Sequence, residues 1–170
     1  RMGFMPNALK LYMHRPELLA CLVQLNNTVM RDESSHLDAG LKRRISAICS
    51  FLNKSAYCVA HNTNTLMNED SGDEEGWGFS AQDVAKLLDP AYEPNDPAEK
   101  AAIEYAKAAS SNHSNVPRSV LESLAGHMTP PQIVELACVV GFWAMYNSIH
   151  EALDVPIEEA LQGNAAFLGA

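Results

Sequence analysis

The strongest constraint on the fold of this chain is helical periodicity, because apolar residues recur at spacings of three and four and no stretch alternates as a half-buried strand does. The clearest run contains Leu41, Ile45, Ile48 and Leu52. Such spacing puts the side chains on one face of a helix, which is buried while the opposite face meets water. The pattern predicts an all-α fold.

Several helix starts are marked by proline or by capping side chains. Thr129 and Gln132 have the spacing of a capping box, and Pro130 occupies the first helical position between them. We expect further helices to begin at Pro16, Asp38, Ser55, Ser80, Pro97 and Pro117.

Residues 69–78, with the sequence EDSGDEEGWG, interrupt this helical pattern. Their glycines and like charges predict a solvent-exposed connection. Trp77 is the residue for which we weigh a second role, since an aromatic side chain in an acidic loop can fold back over a core or pocket as a lid.

Composition limits the classes of protein and partner. The chain of 170 residues is 47% hydrophobic and 19% charged, which indicates one ordered domain over residues 1–170. Its net charge of −9 argues against nucleic-acid and membrane partners, because nucleic acids and anionic membranes both attract clustered Lys and Arg. The longest apolar run, residues 133–145, is too short to span a bilayer and contains Glu135. We expect a buried helix there.

The cysteines and histidines bear on compartment and metal binding. Four cysteines, at positions 21, 49, 58 and 138, have neither zinc-finger spacing nor the density of a secreted disulfide scaffold. The chain also starts without the pattern of a secretory signal peptide. We therefore expect reduced thiols and a cytoplasmic location. The histidines show no metal-ligand spacing with nearby carboxylates, so we predict no metal and no cofactor.

The segment NKSAYCVAHNTNTL, residues 53–66, is the main candidate for chemistry. If Ser55 caps a helix, Cys58 falls at its third position, where free backbone amides and the helix dipole favour a thiolate. His61 and Asn62 lie three and four residues further on, near the same face. The alternative is that Cys58 is a small buried apolar residue and His61 an ordinary polar neighbour.

Four stretches of the chain resemble the alkylhydroperoxidase-D/carboxymuconolactone decarboxylase family. They are HRPELLACL at 14–22, LDAGLKRRISAICSFLN at 37–53, YCVAH at 57–61 and VELACVVGFWAMYNSIHEALDVP at 134–156. The motif of that family is Glu, eleven residues, Cys, two residues, Cys, three residues, His. The resemblance covers nearly the whole chain.

This chain departs from the family motif at three of its four positions. The family Glu falls on Arg43, the first Cys on Ser55 and the His on Asn62, with His61 one residue early; Cys58 is retained. The resemblance implies a dithiol pair with a Glu and His proton relay, but a serine cannot form a disulfide. An oxidised Cys58 must then be resolved by another cysteine of the chain, by a partner redox protein or by a small thiol.

The resemblance also implies an architecture, namely an all-α fold with a duplicated two-helix unit that assembles as a homo-oligomer, trimer or hexamer. A weak internal echo at an offset of 91 residues fits this, because it lays His36 and Leu37 on His127 and Met128. The alternative is that any two amphipathic helix pairs align passably. In the second copy, Glu135 falls near the place of Arg43.

Other residues are weaker site candidates. Glu135 in an apolar helix needs a partner, so it either pairs with Arg43 or Arg44 or replaces the missing relay carboxylate. His150 either reaches the same pocket or is an ordinary edge residue. The same choice between core packing and ligand contact applies to Tyr57 and Tyr146.

Three functions are consistent with these residues. The first is a thiol-dependent, peroxidase-type oxidoreductase acting on a small molecule, in which Cys58 is the redox sulfur, His61 positions or accepts a proton, and Ser55 stabilises the thiolate. The second is a lyase like carboxymuconolactone decarboxylase, in which Arg43, Arg44 and Glu135 bind and protonate a small lactone or carboxylic acid. The third is a binding or assembly protein that kept the fold without turnover.

Overall fold

The computed structural model describes residues 4–67 and 77–169. Over those residues the chain forms α-helices, one 3₁₀ helix and no strand, which confirms the predicted all-α class. The helices are α1 (Asn7–Tyr12), α2 (Pro16–Met30), α3 (Ala39–Leu52), α4 (Ala56–Met67), α5 (Ala81–Leu88), α6 (Pro97–Asn112), α7 (Arg118–His127), α8 (Pro130–Ala152) and the C-terminal 3₁₀ helix (Glu159–Leu168). Of the predicted acidic connection, residues 69–76 lie outside the described part of the chain.

Local capping explains where several helices begin. The Thr129 hydroxyl and the Gln132 side chain form the predicted reciprocal box at the start of α8. Ser80 and Asp83 form another at α5, and the Asp38 carboxylate accepts a hydrogen bond from the Leu41 amide at 2.7 Å. Each such cap is worth about 1 kcal/mol, and all three occur where the sequence predicts them.

Helix α3 runs through the centre of the fold, against α4, α6 and α8. Its predicted apolar face is buried, with Ile45 at 0% exposure and Ile48 at 3%. Ser46 and Ser50, on other faces, are also fully buried. The helix is therefore enclosed on nearly every side rather than half exposed, because three neighbouring helices surround it.

Helix α8 is the second central element. It is, within the described residues, the one helix long and apolar enough to cross a membrane, with a mean hydropathy of 1.3. It packs against α2, α3, α4 and α6, and its Leu136 and Val139 are fully buried. This packing is that of a core helix, as the sequence predicts for residues 133–145.

The internal echo extends over one helix of the expected two-helix unit. Helix α3 ends where Lys54 takes a positive φ of 57°. The offset of 91 residues places the corresponding break at Met145, which lies inside the continuous helix α8. The second copy therefore has no turn, and the echo matches α3 only with the first part of α8.

Candidate active site

A tight turn between α3 and α4 positions the cysteine. The amide of Lys54 donates to the carbonyl of Phe51 and the amide of Ser55 to that of Ser50, which is the pattern of a Schellman motif. Ser55 is then the predicted N-cap of α4, since its hydroxyl oxygen accepts from the Cys58 amide at 3.4 Å. The turn therefore fixes Cys58 in the first turn of α4.

The sulfur of Cys58 faces His150, which comes from the end of α8. The Sγ atom lies 3.1 Å from Nδ1 of His150, although the two residues are 92 positions apart. The other ring nitrogen, Nε2, lies 2.9 Å from the hydroxyl oxygen of Tyr12 on α1. Cys58 is 1% exposed and His150 3% exposed. Three elements therefore form one buried chain of polar groups.

Aromatic side chains enclose this chain of groups. The ring centres of Tyr57, Tyr146 and Tyr12 lie 4.9, 5.4 and 5.8 Å from that of His150. Tyr57 and Tyr146 therefore pack in the core, as one of the two predicted roles requires, and both also line the site. Such apolar walls exclude water and lower the local dielectric.

Burial sets the resting protonation of the pair. Burial raises the pKa of the Cys58 thiol to about 12; the Ser55 side chain opposes this rise, and the charge of Glu151 adds to it. Burial likewise lowers the pKa of His150 to about 4, with His61 acting in the same direction and Glu158 against it. At neutral pH the pair is a thiol beside a neutral imidazole. The expected resting thiolate is therefore wrong, because burial raises the pKa of the thiol more than the helix terminus lowers it.

Ser55 connects this site to a carboxylate. Its hydroxyl donates to Oε1 of Glu151 at 3.0 Å, while its oxygen accepts from the backbone amide of Cys58. The carboxylate thus competes for the hydrogen that Ser55 could give to the sulfur. Glu151 opposes the thiolate both by its charge and by this competition.

His61 belongs to a neighbouring cluster around Glu158. Its Nε2 lies 2.7 Å from Oε2 of Glu158, and the Tyr57 hydroxyl donates to the other carboxylate oxygen at 3.1 Å. Burial lowers the pKa of His61, although Glu158 opposes this. The histidine next to the sulfur is therefore His150, and the recorded hydrogen-bond partner of His61 is a carboxylate.

Glu135 is tied to the loop that precedes α3. Its carboxylate accepts from the backbone amide of His36 at 3.0 Å and lies 3.8 Å from Nζ of Lys42. Arg44, one of its two predicted ion-pair partners, instead bonds to Glu99 at 2.7 Å. The Glu135–Arg44 pairing is therefore wrong, because the buried Lys42 is the α3 side chain that reaches this carboxylate.

Arg43 contacts the aromatic residue predicted as a lid. Its guanidinium carbon lies 5.6 Å from the centre of the Trp77 ring. The indole also lies against Gly40, where an added Cβ would come within 2.7 Å of the indole nitrogen. Trp77 thus folds back onto α3 and covers Arg43.

Asn62 stands where the family motif has its histidine. Its side-chain Nδ2 donates to the Ser50 hydroxyl at 3.0 Å, and that hydroxyl donates to the side-chain Oδ1 of Asn147 at 3.1 Å. All three side chains are buried. This neutral network joins α4, α3 and α8. The Asn62 side chain therefore links helices.

Three residues of the site carry no local sequence signal. Tyr12 lies on the short helix α1, Glu151 at the end of α8 and Glu158 just before the 3₁₀ helix. They reach the site across 96 to 138 positions of sequence. In sequence they look like an ordinary tyrosine and two surface carboxylates. Across the described ranges, no three His, Cys, Asp or Glu side chains are grouped as metal ligands.

Comparisons with solved structures assign the fold. An uncharacterized peroxidase-related protein from Silicibacter sp. TM1040 is 24% identical, with 96% of this chain and 82% of that one covered and a TM-score of 0.79. The debrominase Bmp8 is 21% identical over 98% and 85% of the chains, with a TM-score of 0.81. A protein of unknown function from Agrobacterium tumefaciens, described in connection with AhpD and antioxidant defence, is 21% identical over 86% and 94%, with a TM-score of 0.70.

These similarities confirm the resemblance at the level of fold: the chain has the all-α fold of alkylhydroperoxidase-D-like proteins. No protein-family model and no curated protein matches the chain.

Proposed function

We propose that this protein is a thiol-dependent, peroxidase-type oxidoreductase in which Cys58 is the single redox sulfur. One observation carries the proposal, namely the 3.1 Å distance between Sγ of Cys58 and Nδ1 of His150. A thiol in direct contact with a neutral imidazole has an acceptor for its proton, which is the arrangement that nucleophilic catalysis needs. The peroxidase-related name of one protein with this fold supports the same class.

The proposed reaction uses a hydroperoxide as oxidant. The thiol proton passes to Nδ1 of His150 while the sulfur of Cys58 attacks the terminal peroxide oxygen and the O–O bond breaks. The alkoxide leaves and takes the proton back from His150 as an alcohol. Cys58 becomes a sulfenic acid, oxidised by two electrons, and the peroxide is reduced by two.

The return to the thiol needs an external reductant. Ser55 cannot close a disulfide, and Cys49 is buried at 1% exposure against Ser110. A small thiol therefore condenses with the sulfenic acid, giving a mixed disulfide and water. A second small thiol then attacks that disulfide, releases Cys58 as a thiol and leaves as the oxidised dimer.

Closure of the site favours a second candidate function. Cys58 is 1% exposed and is walled by bulky tyrosine side chains, as in a protein that kept the fold for binding or assembly. The lyase alternative has less support, because Glu135 bonds to the loop before α3 and lies beside Lys42, while Arg43 lies under the Trp77 ring. Peroxidase and non-catalytic protein are therefore the two functions to separate.

Trapping of sulfenic acid separates them. The protein is treated with an organic hydroperoxide and a dimedone-type reagent, and each cysteine is quantified by mass spectrometry. We expect labelling at Cys58 that exceeds labelling at Cys49, an equally buried cysteine whose sulfur accepts a hydrogen bond from Ser110. His150→Gln should remove the excess. Equal labelling of Cys58 and Cys49 would favour the non-catalytic protein.

Assembly and location are further parts of the proposal. Large apolar side chains are exposed on α2 and α8, which supports the predicted homo-oligomer. A cytoplasmic location agrees with the free thiols of all four cysteines. The exposed apolar residues are Leu18, Val23 and Leu25 on α2 and Val134 on α8.

A further inference from the structure

The ring of His150 has a polar partner at each nitrogen. Nδ1 lies 3.1 Å from the Cys58 sulfur and Nε2 lies 2.9 Å from the Tyr12 hydroxyl oxygen. A neutral imidazole carries one N–H, so one nitrogen donates and the other accepts. His150 can take the Cys58 proton only if Nδ1 is the accepting nitrogen. The contact at Nε2 thus decides whether the base is ready.

We propose that Tyr12 is a positioning residue for the proposed Cys58–His150 pair: its hydroxyl oxygen accepts the Nε2–H of His150 and so holds Nδ1 free to accept the thiol proton. The inference rests on the proposed function, and it adds the N-terminal helix α1 to the machinery of the site.

The chemistry of the sulfur favours this direction of hydrogen bonding. A protonated thiol is a weak acceptor, whereas an imidazole nitrogen with a free lone pair is a good one. A bond from Cys58 S–H to Nδ1 is therefore better than a bond from Nδ1–H to the thiol. The hydrogen of His150 then sits on Nε2 and points at Tyr12, whose phenol stays neutral because burial raises its pKa.

The same contact becomes stronger when the base acts. After proton transfer the imidazolium keeps its Nε2–H bond to the Tyr12 oxygen, and that bond is now charge-assisted. An interaction that is stronger in the reacting state than at rest accelerates a reaction rather than merely binding the resting form. Tyr12 therefore stabilises the ion pair in which Cys58 is nucleophilic.

The two other tyrosines at His150 direct their hydroxyls elsewhere. The Tyr57 hydroxyl donates to Glu158 at 3.1 Å, and the Tyr146 hydroxyl donates to the backbone oxygen of Leu22 at 3.5 Å. Their rings pack on the imidazole at distances similar to that of Tyr12. Tyr146→Phe is therefore a matched control, because it removes a hydroxyl from a ring that touches His150 without changing the Nε2 contact.

Hydrogen bonds at the start of α1 position the helix that carries Tyr12. The amide of Ala8 donates to the Tyr57 hydroxyl at 3.1 Å, and the amide of Asn7 donates to Glu158. The Asn7 side chain donates to the carbonyl of Pro156 at 2.8 Å. These bonds fix the N-terminal end of the six-residue helix, and Tyr12 is the last residue of that helix.

The experiment reads the tautomer directly. Long-range proton–nitrogen NMR on protein with ¹⁵N-labelled histidine assigns the protonated nitrogen of His150, and rapid-mixing kinetics follow oxidation of Cys58 by an organic hydroperoxide. We expect Nε2–H in the wild type, a shift towards Nδ1–H in Tyr12→Phe, and oxidation about tenfold slower in that variant, the cost of losing a hydrogen bond to a charged group. Tyr146→Phe should keep the wild-type tautomer.

Two results would overturn the inference: an Nδ1–H tautomer in the wild type, or a tautomer and a rate in Tyr12→Phe equal to those of the wild type. The wild-type measurement needs no variant and holds even where Tyr12→Phe folds poorly. Failure of the proposed function has a different signature. In that case Cys58 forms no sulfenic acid, while a tautomer that still depends on Tyr12 supports its positioning role.

Discussion

At the scale of single residues, the sequence predicts local contacts and misses distant ones, as shown by Ser55, Cys58, His150 and Glu151. The Ser55 cap and the place of Cys58 in the first turn follow from a spacing of three residues, which is a local property. The contact with His150 joins positions 92 apart, so no local rule predicts it. The predicted thiolate is wrong for a related reason, since the burial that raises the pKa of Cys58 depends on helices far away in sequence.

Replacement of Glu151 tests what holds the thiol protonated. In Glu151→Gln the nearby negative charge is gone and the competition for the Ser55 hydrogen weakens. The pKa of Cys58 should therefore fall, by about one unit, as expected for loss of a single close charge. The measurement is the pH dependence of Cys58 alkylation. Glu159→Gln serves as the control. An unchanged Cys58 pKa in Glu151→Gln would show that burial alone keeps the thiol protonated.

His150 should make the fold sensitive to acid. Its pKa is about 4 in the folded protein and about 6.5 when unfolded, so between these values the unfolded chain binds more protons. The contribution of neutral His150 to the free energy of unfolding is therefore fully present above pH 6.5. It falls by about 3 kcal/mol as the pH decreases towards 4. Urea unfolding at pH 7 and pH 4 should show a smaller loss in His150→Gln than in the wild type. His14→Gln, at an exposed position, should lose as much as the wild type.

At the scale of elements, predictability follows the caps. Helices α5 and α8 begin at their predicted N-cap residues because capping is decided within four residues. Helix α1 and the 3₁₀ helix have no comparable signal, since contacts with the rest of the fold hold them. Tyr12 lies on the first of these unpredicted elements and Glu158 immediately precedes the second. The sequence therefore predicts only part of the site.

Helix α1 should act as the cover of the sulfur. In Tyr57→Phe the Ala8 amide loses its acceptor and Glu158 loses a donor. Loss of buried hydrogen bonds of this kind costs about 1 to 2 kcal/mol, so α1 should open roughly tenfold more often. Alkylation of Cys58 under native conditions should accelerate accordingly. Tyr105→Phe on α6 should leave the rate unchanged, and equal rates in both variants would place the route to the sulfur elsewhere.

For the whole molecule, exposed apolar surface predicts assembly. Val134 on α8 is 63% exposed, and Leu18 on α2 is 49% exposed. Analytical ultracentrifugation should find a trimer or hexamer, and Val134→Glu should shift it towards monomer. Leu121→Glu, on α7, removes a similarly exposed apolar residue as a control. A monomeric wild type would contradict the prediction.

The buried, protonated state of Cys58 gives this protein a form of selectivity that does not depend on acidity. A sulfur held as a thiol under a short helix is closed off from electrophiles in the surrounding medium until that helix moves. Access is thus the step that discriminates among reagents: opening of the N-terminal helix admits them, and its return restores the Tyr12 contact to the imidazole.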